Sequence, residues 1–218
     1  TEKGQRWRLP RSVKKDNDYL IKENILRKAR EVCTERDLLQ AHGTFYELPA
    51  LNAMGAIRMR PIATSEFAVH DFCSYRGLLV LSGINPQSAT DNKHIIRSED
   101  KQAAVWVGAA DDLWKLGKPR GTGGPWKNTS VKAMQPSDPY LMTGYDIKKL
   151  HLENHSRTAN IITMECDVAG DGKFSHYQSF EINSEQVLEI QLPDWLNAYW
   201  VRFIVKEDGE ISAQLNYE

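Results

Sequence analysis

Val105 to Ala133 reads VWVGAADDLWKLGKPRGTGGPWKNTSVKA, and the way its two halves differ divides the chain. The first half is an apolar run, Val105 to Ala110, closed by adjacent carboxylates, Asp111 and Asp112, and by Trp114. The second half, Gly117 to Pro125, holds four glycines and two prolines, the composition of a joint. The expected organisation is therefore residues 1–117, a Gly/Pro-rich joint over 118–125, and a second domain over 126–218.

Downstream of the joint the pattern is regular. Leu150 and Leu152 alternate with polar neighbours, as do Ile162, Met164, Cys166 and Val168. Phe174, His176, Gln178, Phe180 and Ile182 read as the next inward face, after the turn Ala169 to Gly172. Leu188, Ile190 and Leu192 follow, then Tyr199, Val201, Phe203 and Val205, and finally Ile211, Ala213, Leu215 and Tyr217. Period-two alternation repeated in this way predicts an antiparallel β-sandwich with one face of each sheet inward.

Upstream the strands are shorter. Gln5 to Leu9 reads as a short strand, and Ile25 to Thr34 fits either one helical turn or a strand. Gly43 to Leu48 and Ala56 to Ala63 alternate, with Pro61 marking an edge or a bulge. Phe67 to Ser74 and Leu78 to Ile84 read as a hairpin around Tyr75-Arg76-Gly77, followed by short strands at His94 to Arg97 and Ala103 to Ala109. Turns about every ten residues give the rhythm of a meander or of propeller blades. Roughly 110 residues make two to three four-stranded units, fewer than the four blades a propeller needs to close. The expected fold is all-β: terminal blades of an incomplete propeller, followed by the sandwich. Because so few strands leave the ring open, the rest of it is expected from an amino-terminal part of the same protein, as a separate or removed chain.

Bulk properties exclude several classes. A net charge of −1 over 218 residues lacks the electrostatic footprint of a general nucleic-acid binder. No apolar run approaches the length of a membrane span. Cys33, Cys73 and Cys166 form neither a disulfide framework nor a zinc motif, and they read as buried free thiols, with a Cys33–Cys73 bridge as the alternative. GTGGPWKNT lacks the GK[ST] of a phosphate loop, DVAGDGKF lacks regularly spaced oxygen ligands, and the histidines are scattered. No cofactor and no metal is expected.

The runs HGTFYELP (42–49), RPIAT (60–64), HDFCSYRGLLVLSG (70–83), 105–133, SDPYLMTGYD (137–146) and AYWVRF (198–203) resemble the carboxy-terminal part of a family of large bacterial proteins. In that family a β-propeller precedes a β-sandwich. The resemblance runs from about Ala29 to the end. It implies architecture and, by association with polysaccharide-degrading bacteria, a carbohydrate-related role in a secreted or periplasmic protein. It implies no reaction.

Three constellations are candidate sites, each with a bland alternative. Glu35, Arg36, Asp37 and His42 suit the mouth of a propeller channel, where a guanidinium would grip an acidic sugar, or else a solvated turn. Arg60, His70, Asp71, Tyr75 and Arg76 place a histidine beside a carboxylate, but adjacent strand residues face opposite ways. Asp111, Asp112 and Trp114 offer paired acids and a sugar-stacking ring. Their structural alternative is a carboxylate capping the turn and Trp114 wedged at the domain interface. Trp195, Tyr199 and Trp200 form a further aromatic group, in which alternation turns Trp200 outward, as a glycan platform or else packed into the core or an interface. The ligand-binding candidates are thus Arg36, Asp37, His42, Arg60, His70 and Arg76. The expected function is carbohydrate-associated binding or scaffolding of a polysaccharide or oligosaccharide. The alternatives are a glycan-active enzyme, hydrolase or lyase, and a protein-interaction module.

Overall fold

The computed structural model describes residues 4, 6–12, 27–33, 35–65, 67–87 and 92–218. The described residues are all-β, with sixteen strands in four open, four-stranded antiparallel sheets. It divides into two compact units, Arg11–Arg120 and Thr1–Pro10 with Gly121–Glu218.

In the first unit, β1 (Arg27–Val32), β2 (Arg36–Ala41), β3 (Thr44–Leu48) and β4 (Arg60–Thr64) pair in sequence order as a meander. The segment left ambiguous between helix and strand is thus β1, although its ends, Ile25 and Thr34, lie outside the described residues. β2 and β3 are joined by His42-Gly43, both at positive φ (53° and 85°), as a two-residue type I′ turn requires. Pro61 sits in edge strand β4, opposite a register shift at Phe45/Tyr46, where its missing N–H disturbs no central ladder. The strand expected from Ala56 begins only at Arg60, because Gly55–Arg58 forms a 3-10 turn.

The second sheet contains β5 (Asp71–Tyr75), β6 (Leu78–Ser82), β7 (Ile95–Arg97) and β8 (Ala104–Gly108), in the order β5-β6-β8-β7. β5 and β6 form the expected hairpin, turning through Arg76-Gly77 at φ 50° and 80°. The apolar residues of both sheets meet in one core built around Leu38, Phe45, Phe72, Leu79, Leu81 and Trp106, with Phe45 and Phe72 edge to face at 5.5 Å. A short 3-10 segment, Ala110–Lys115, closes the unit and buries Leu113.

In the second unit, β9 (Gly121–Val131), β10 (Tyr140–Leu141), β11 (Lys148–Asn154), β12 (Asn160–Asp167), β13 (Ser175–Ile182), β14 (Val187–Gln191), β15 (Trp200–Val205) and β16 (Gly209–Tyr217) build two sheets. Their orders are β10-β15-β12-β13 and β14-β11-β16-β9. The inward residues read from the alternation, among them Leu150, Leu152, Ile162, Met164, Val201, Phe203, Val205, Ile211, Ala213 and Leu215, are all buried. The two inner faces meet where Trp126 packs 6.2 Å from Phe203 and where the Tyr217 hydroxyl donates to the Leu141 carbonyl at 2.9 Å.

Three expectations need correction. Residues 118–125 are not a free joint, because Gly121 to Pro125 open strand β9. Their glycines let β9 lie close against β16: a Cβ at Gly124 would overlap the Ala213 carbonyl oxygen. Residues 1–10 belong with the carboxy-terminal strands, where Arg8 N–H donates to Pro139 O at 2.8 Å and Leu141 N–H donates to Arg8 O at 3.0 Å. Finally, the β12–β13 register slips, so that Met164 pairs with Gln178 but Glu165 pairs with His176. Tyr177 is the extra residue of this bulge, and it reverses the alternation beyond it. Phe174 therefore lies under the Arg202 guanidinium, 4.3 Å away, and His176 is exposed rather than inward.

Candidate functional site

The candidates of the first unit are spread over hairpin tips and strand ends. Arg36 Nη1 donates to Asp111 Oδ1 at 2.6 Å, joining two residues that had been assigned to separate constellations. Glu35 and Asp37 are exposed beside it. Asp112 does cap the turn: its Oδ2 accepts the Ala109 N–H at 2.9 Å, and its Oδ1 accepts from Lys115 at 2.7 Å. Trp114 is 56 % exposed. Arg60 pairs with Glu47 at 2.6 Å across β3 and β4. His70 packs its ring against Gly83, where a side chain would collide with it. Asp71 takes both donors of Arg30, at 3.1 and 2.9 Å, with Lys28 at 3.5 Å. Arg76 lies over its neighbour Tyr75 at 5.3 Å.

These contacts bear on catalysis. Glycoside hydrolysis needs two carboxyls facing one bond, one of them held protonated. Asp71, Asp111 and Asp112 instead meet cations or backbone N–H groups. Burial pulls the Asp71 carboxyl up, but the Phe72 N–H, Arg30 and Lys28 hold it below its ordinary value. Lys115 and the Ala109 N–H likewise hold Asp112 down. Every described carboxyl with a resolved displacement (Asp71, Asp100, Asp112, Asp171 and Asp208) moves downward, the opposite of what a catalytic acid requires.

Trp200 is no platform. It faces outward from β15 but is fully covered, because Trp7 packs edge-on against it at 4.6 Å. The exposed aromatic nearby is Trp195, 74 % accessible, with the Tyr177 ring 6.3 Å away.

A more coherent surface lies on the outer face of the β14-β11-β16-β9 sheet. The strand register places polar residues in rows: Gln191, Lys149, Asn216 and Thr122 in one, and Glu189, His151 and Gln214 in the next. They face outward because their alternating partners Leu150, Leu152, Ala213 and Leu215 fill the core. Together they line a cleft of about 520 Å³. Lys149 and Asn216 both donate to Glu218 Oε1, at 3.0 and 3.2 Å, which fixes the first row. His151 Nδ1 lies 3.4 Å from Glu189, and Gln214 Nε2 is held by the Trp126 and Ala213 carbonyls. The Gln191 amide has no partner among the described residues.

The polar chain continues along β11. Glu153 Oε2 stands between His151 Nε2 at 3.7 Å and His155 Nε2 at 3.5 Å. His155 Nε2 is also 2.9 Å from Ser212 Oγ, which resembles a base beside a nucleophile. The proton count excludes that role. Ser212 spends its single proton on Asn128 Oδ1 at 2.9 Å and accepts the Asn128 N–H, so the imidazole must donate to it. Ser212 is a pin for the bulged strand β9, where Asn128 has φ 44°. Among the described residues no three His, Cys, Asp or Glu side chains converge to hold a metal ion. Sequence reasoning passed over these rows because none of their residues forms a motif; the signal was the identity of the outward positions on β11, β14 and β16.

No family model and no curated protein matches the chain. Among solved structures, the crystal structure of PirA aligns at 17 % identity over 45 % of this chain and 84 % of its own, with a TM-score of 0.27, too low to inform fold or function. No described helix is long and apolar enough to cross a membrane.

Proposed function

We propose that this protein is a non-catalytic binder of a hydroxyl-rich ligand, a neutral oligosaccharide, held in the cleft on the β14-β11-β16-β9 sheet. The observation that carries this reading is the pair of cross-strand rows, Gln191-Lys149-Asn216-Thr122 and Glu189-His151-Gln214. Amide, imidazole and hydroxyl side chains both donate and accept, which matches a sugar hydroxyl that does the same. Lys149, Asn216 and Gln214 are already held by hydrogen bonds, so little of their side-chain entropy is lost on binding. The volume falls within the range of small-ligand sites.

We further propose the architecture in which this role sits. The meander β1 to β4 and its shared core with the second sheet fit two propeller-type blades, and the paired sheets of the second unit fit a β-sandwich. The β5-β6-β8-β7 order departs from a simple blade meander.

The test is isothermal titration against short neutral glucans, xylans, mannans and galactans, with Gln191→Ala and Gln214→Ala as variants. One of these glycans should bind, and each variant should lose roughly fivefold to tenfold in affinity, the worth of one hydrogen bond, with Tm unchanged in Gln191→Ala. Absence of binding to every glycan, or binding unchanged in both variants, overturns the proposal.

A further inference from the structure

A second feature lies in the first unit, on the face of the β5-β6-β8-β7 sheet that turns away from the core. The core takes Phe72, Leu79, Leu81 and Trp106 from this sheet, so the residues alternating with them point the other way. The register sets those residues in three cross-strand rows: Cys73, Val80 and Val107; Tyr75 and Leu78; Val105 and Ile96. None carries a formal charge, and Tyr75, Leu78 and Ile96 are 61, 43 and 57 % exposed. The polar groups at the margin already have partners. Ser82 donates its hydroxyl to the Asp71 carbonyl at 3.3 Å, the Asp71 carboxylate is held by Arg30 and Lys28, and Arg76 lies over the Tyr75 ring. We infer that this face is the contact between two copies of the chain, stacked sheet on sheet in a symmetric dimer.

Two observations select a second copy as the occupant. The first is area. The three rows leave on the order of 500 Å² of apolar surface open, a patch of the size that marks an interaction site. Two copies would bury about 1,000 Å² between them, the lower limit for a specific interface, so the dimer is a weak one. The second observation is self-complementarity. An uncharged grid of branched side chains meets its own copy without like-charge repulsion, and stacking it leaves no new polar group unpaired. On the β1-β2-β3-β4 sheet, by contrast, the residues alternating with the core (Ala41, Thr44 and Tyr46) are already fully buried. With that face covered, like pairs with like, and the contact closes as a two-fold dimer instead of running on. It is independent of the sheet cleft and of the ligand proposed there.

The experiment is sedimentation equilibrium of the intact chain from about 5 µM to about 1 mM, a range that brackets a weak interface. The average mass should climb from one chain towards two. Leu78→Glu and Ile96→Glu each set a charge in the contact and should weaken association at least about tenfold. Both positions are exposed in the single chain, so the circular dichroism and the Tm of dilute samples should stay as in wild type. Trp195→Ala alters an exposed ring of the other unit and should dimerise as the wild type does. Cys73 supplies an independent readout: its labelling rate should fall severalfold across the same concentrations, and that dependence should vanish in Ile96→Glu. A single-chain mass at every concentration, a dimer untouched by both glutamate variants, or one lost in Trp195→Ala overturns the inference.

Discussion

The two units use the same secondary structure to different ends. In Thr1–Pro10 with Gly121–Glu218, most strands run to five residues or more, and their outward positions form continuous polar rows. In Arg11–Arg120 the strands are three to six residues long, and the charged side chains are consumed pairwise: Arg30 with Asp71, Arg36 with Asp111, Arg60 with Glu47. Long strands make a surface; short strands make tips. A polar ligand can be read by several strands at once on the first, whereas the second presents its polar groups singly, at hairpin tips and strand ends.

The sharpest way to break this contrast is at the tryptophans. Trp200→Ala removes a fully buried ring from the second unit and should cost about 3–5 kcal/mol, whereas exposed Trp195→Ala should cost under about 0.5 kcal/mol. Thermal denaturation followed by circular dichroism separates the two, and equal losses would show that Trp7 does not cover Trp200 as described. Two substitutions on glycine and acid supports come next. Gly124→Ala forces a methyl against the Ala213 carbonyl and should destabilise by about 3 kcal/mol. Asp167→Ala should cost about as much, because the buried carboxylate accepts N–H bonds from Gly170, Asp171 and Gly172 at 2.8, 3.3 and 2.9 Å.

Smaller effects sharpen the picture of the first unit. His42 has an ordinary value of 6.5 and is held at about 4 in the fold, so the unfolded chain takes up its proton first as the pH falls. Stability should therefore decline between pH 6.5 and 4, then level off for this group. Urea melts of wild type and His42→Gln should diverge in that window, and parallel curves would contradict the assignment. Thiol labelling should follow burial. Exposed Cys73 reacts first, while Cys166, pushed up to about 12 by burial and by Asp167 and Glu165, reacts only on unfolding. A small change is also expected for Arg36→Ala, under about 1 kcal/mol, since Asp111 is 74 % exposed.

Much of this fold is legible in the sequence, for a physical reason: where one face of a strand is buried, the alternation of apolar residues records it. Leu150, Leu152, Ile162, Met164 and Leu215 all point where the pattern puts them. The pattern fails where a local event breaks the period. One extra residue at Tyr177 turns Phe174 and His176 to the wrong face. Glycine misleads in the opposite direction: Gly121 to Pro125 look like a linker, yet the missing side chains are what allow β9 to approach β16. Trp200 fails for a third reason, since its cover comes from Trp7, at the far end of the chain, which no local pattern can reveal. The site is less legible than the fold. The candidate acids were chosen as neighbours in sequence, whereas the polar rows are neighbours only across strands, and they appear once the register is known.

The central claim is that the sheet cleft binds and does not cut. Its most direct test is a ¹H–¹⁵N NMR titration of the intact chain with the panel of short neutral glycans, with the sugar spectra followed over the same samples. The account predicts shifts concentrated on β11, β14 and β16, at Lys149, His151, Gln191 and Gln214, with every glycosidic bond intact. Shifts confined to the first unit, or the appearance of new reducing ends, would contradict it.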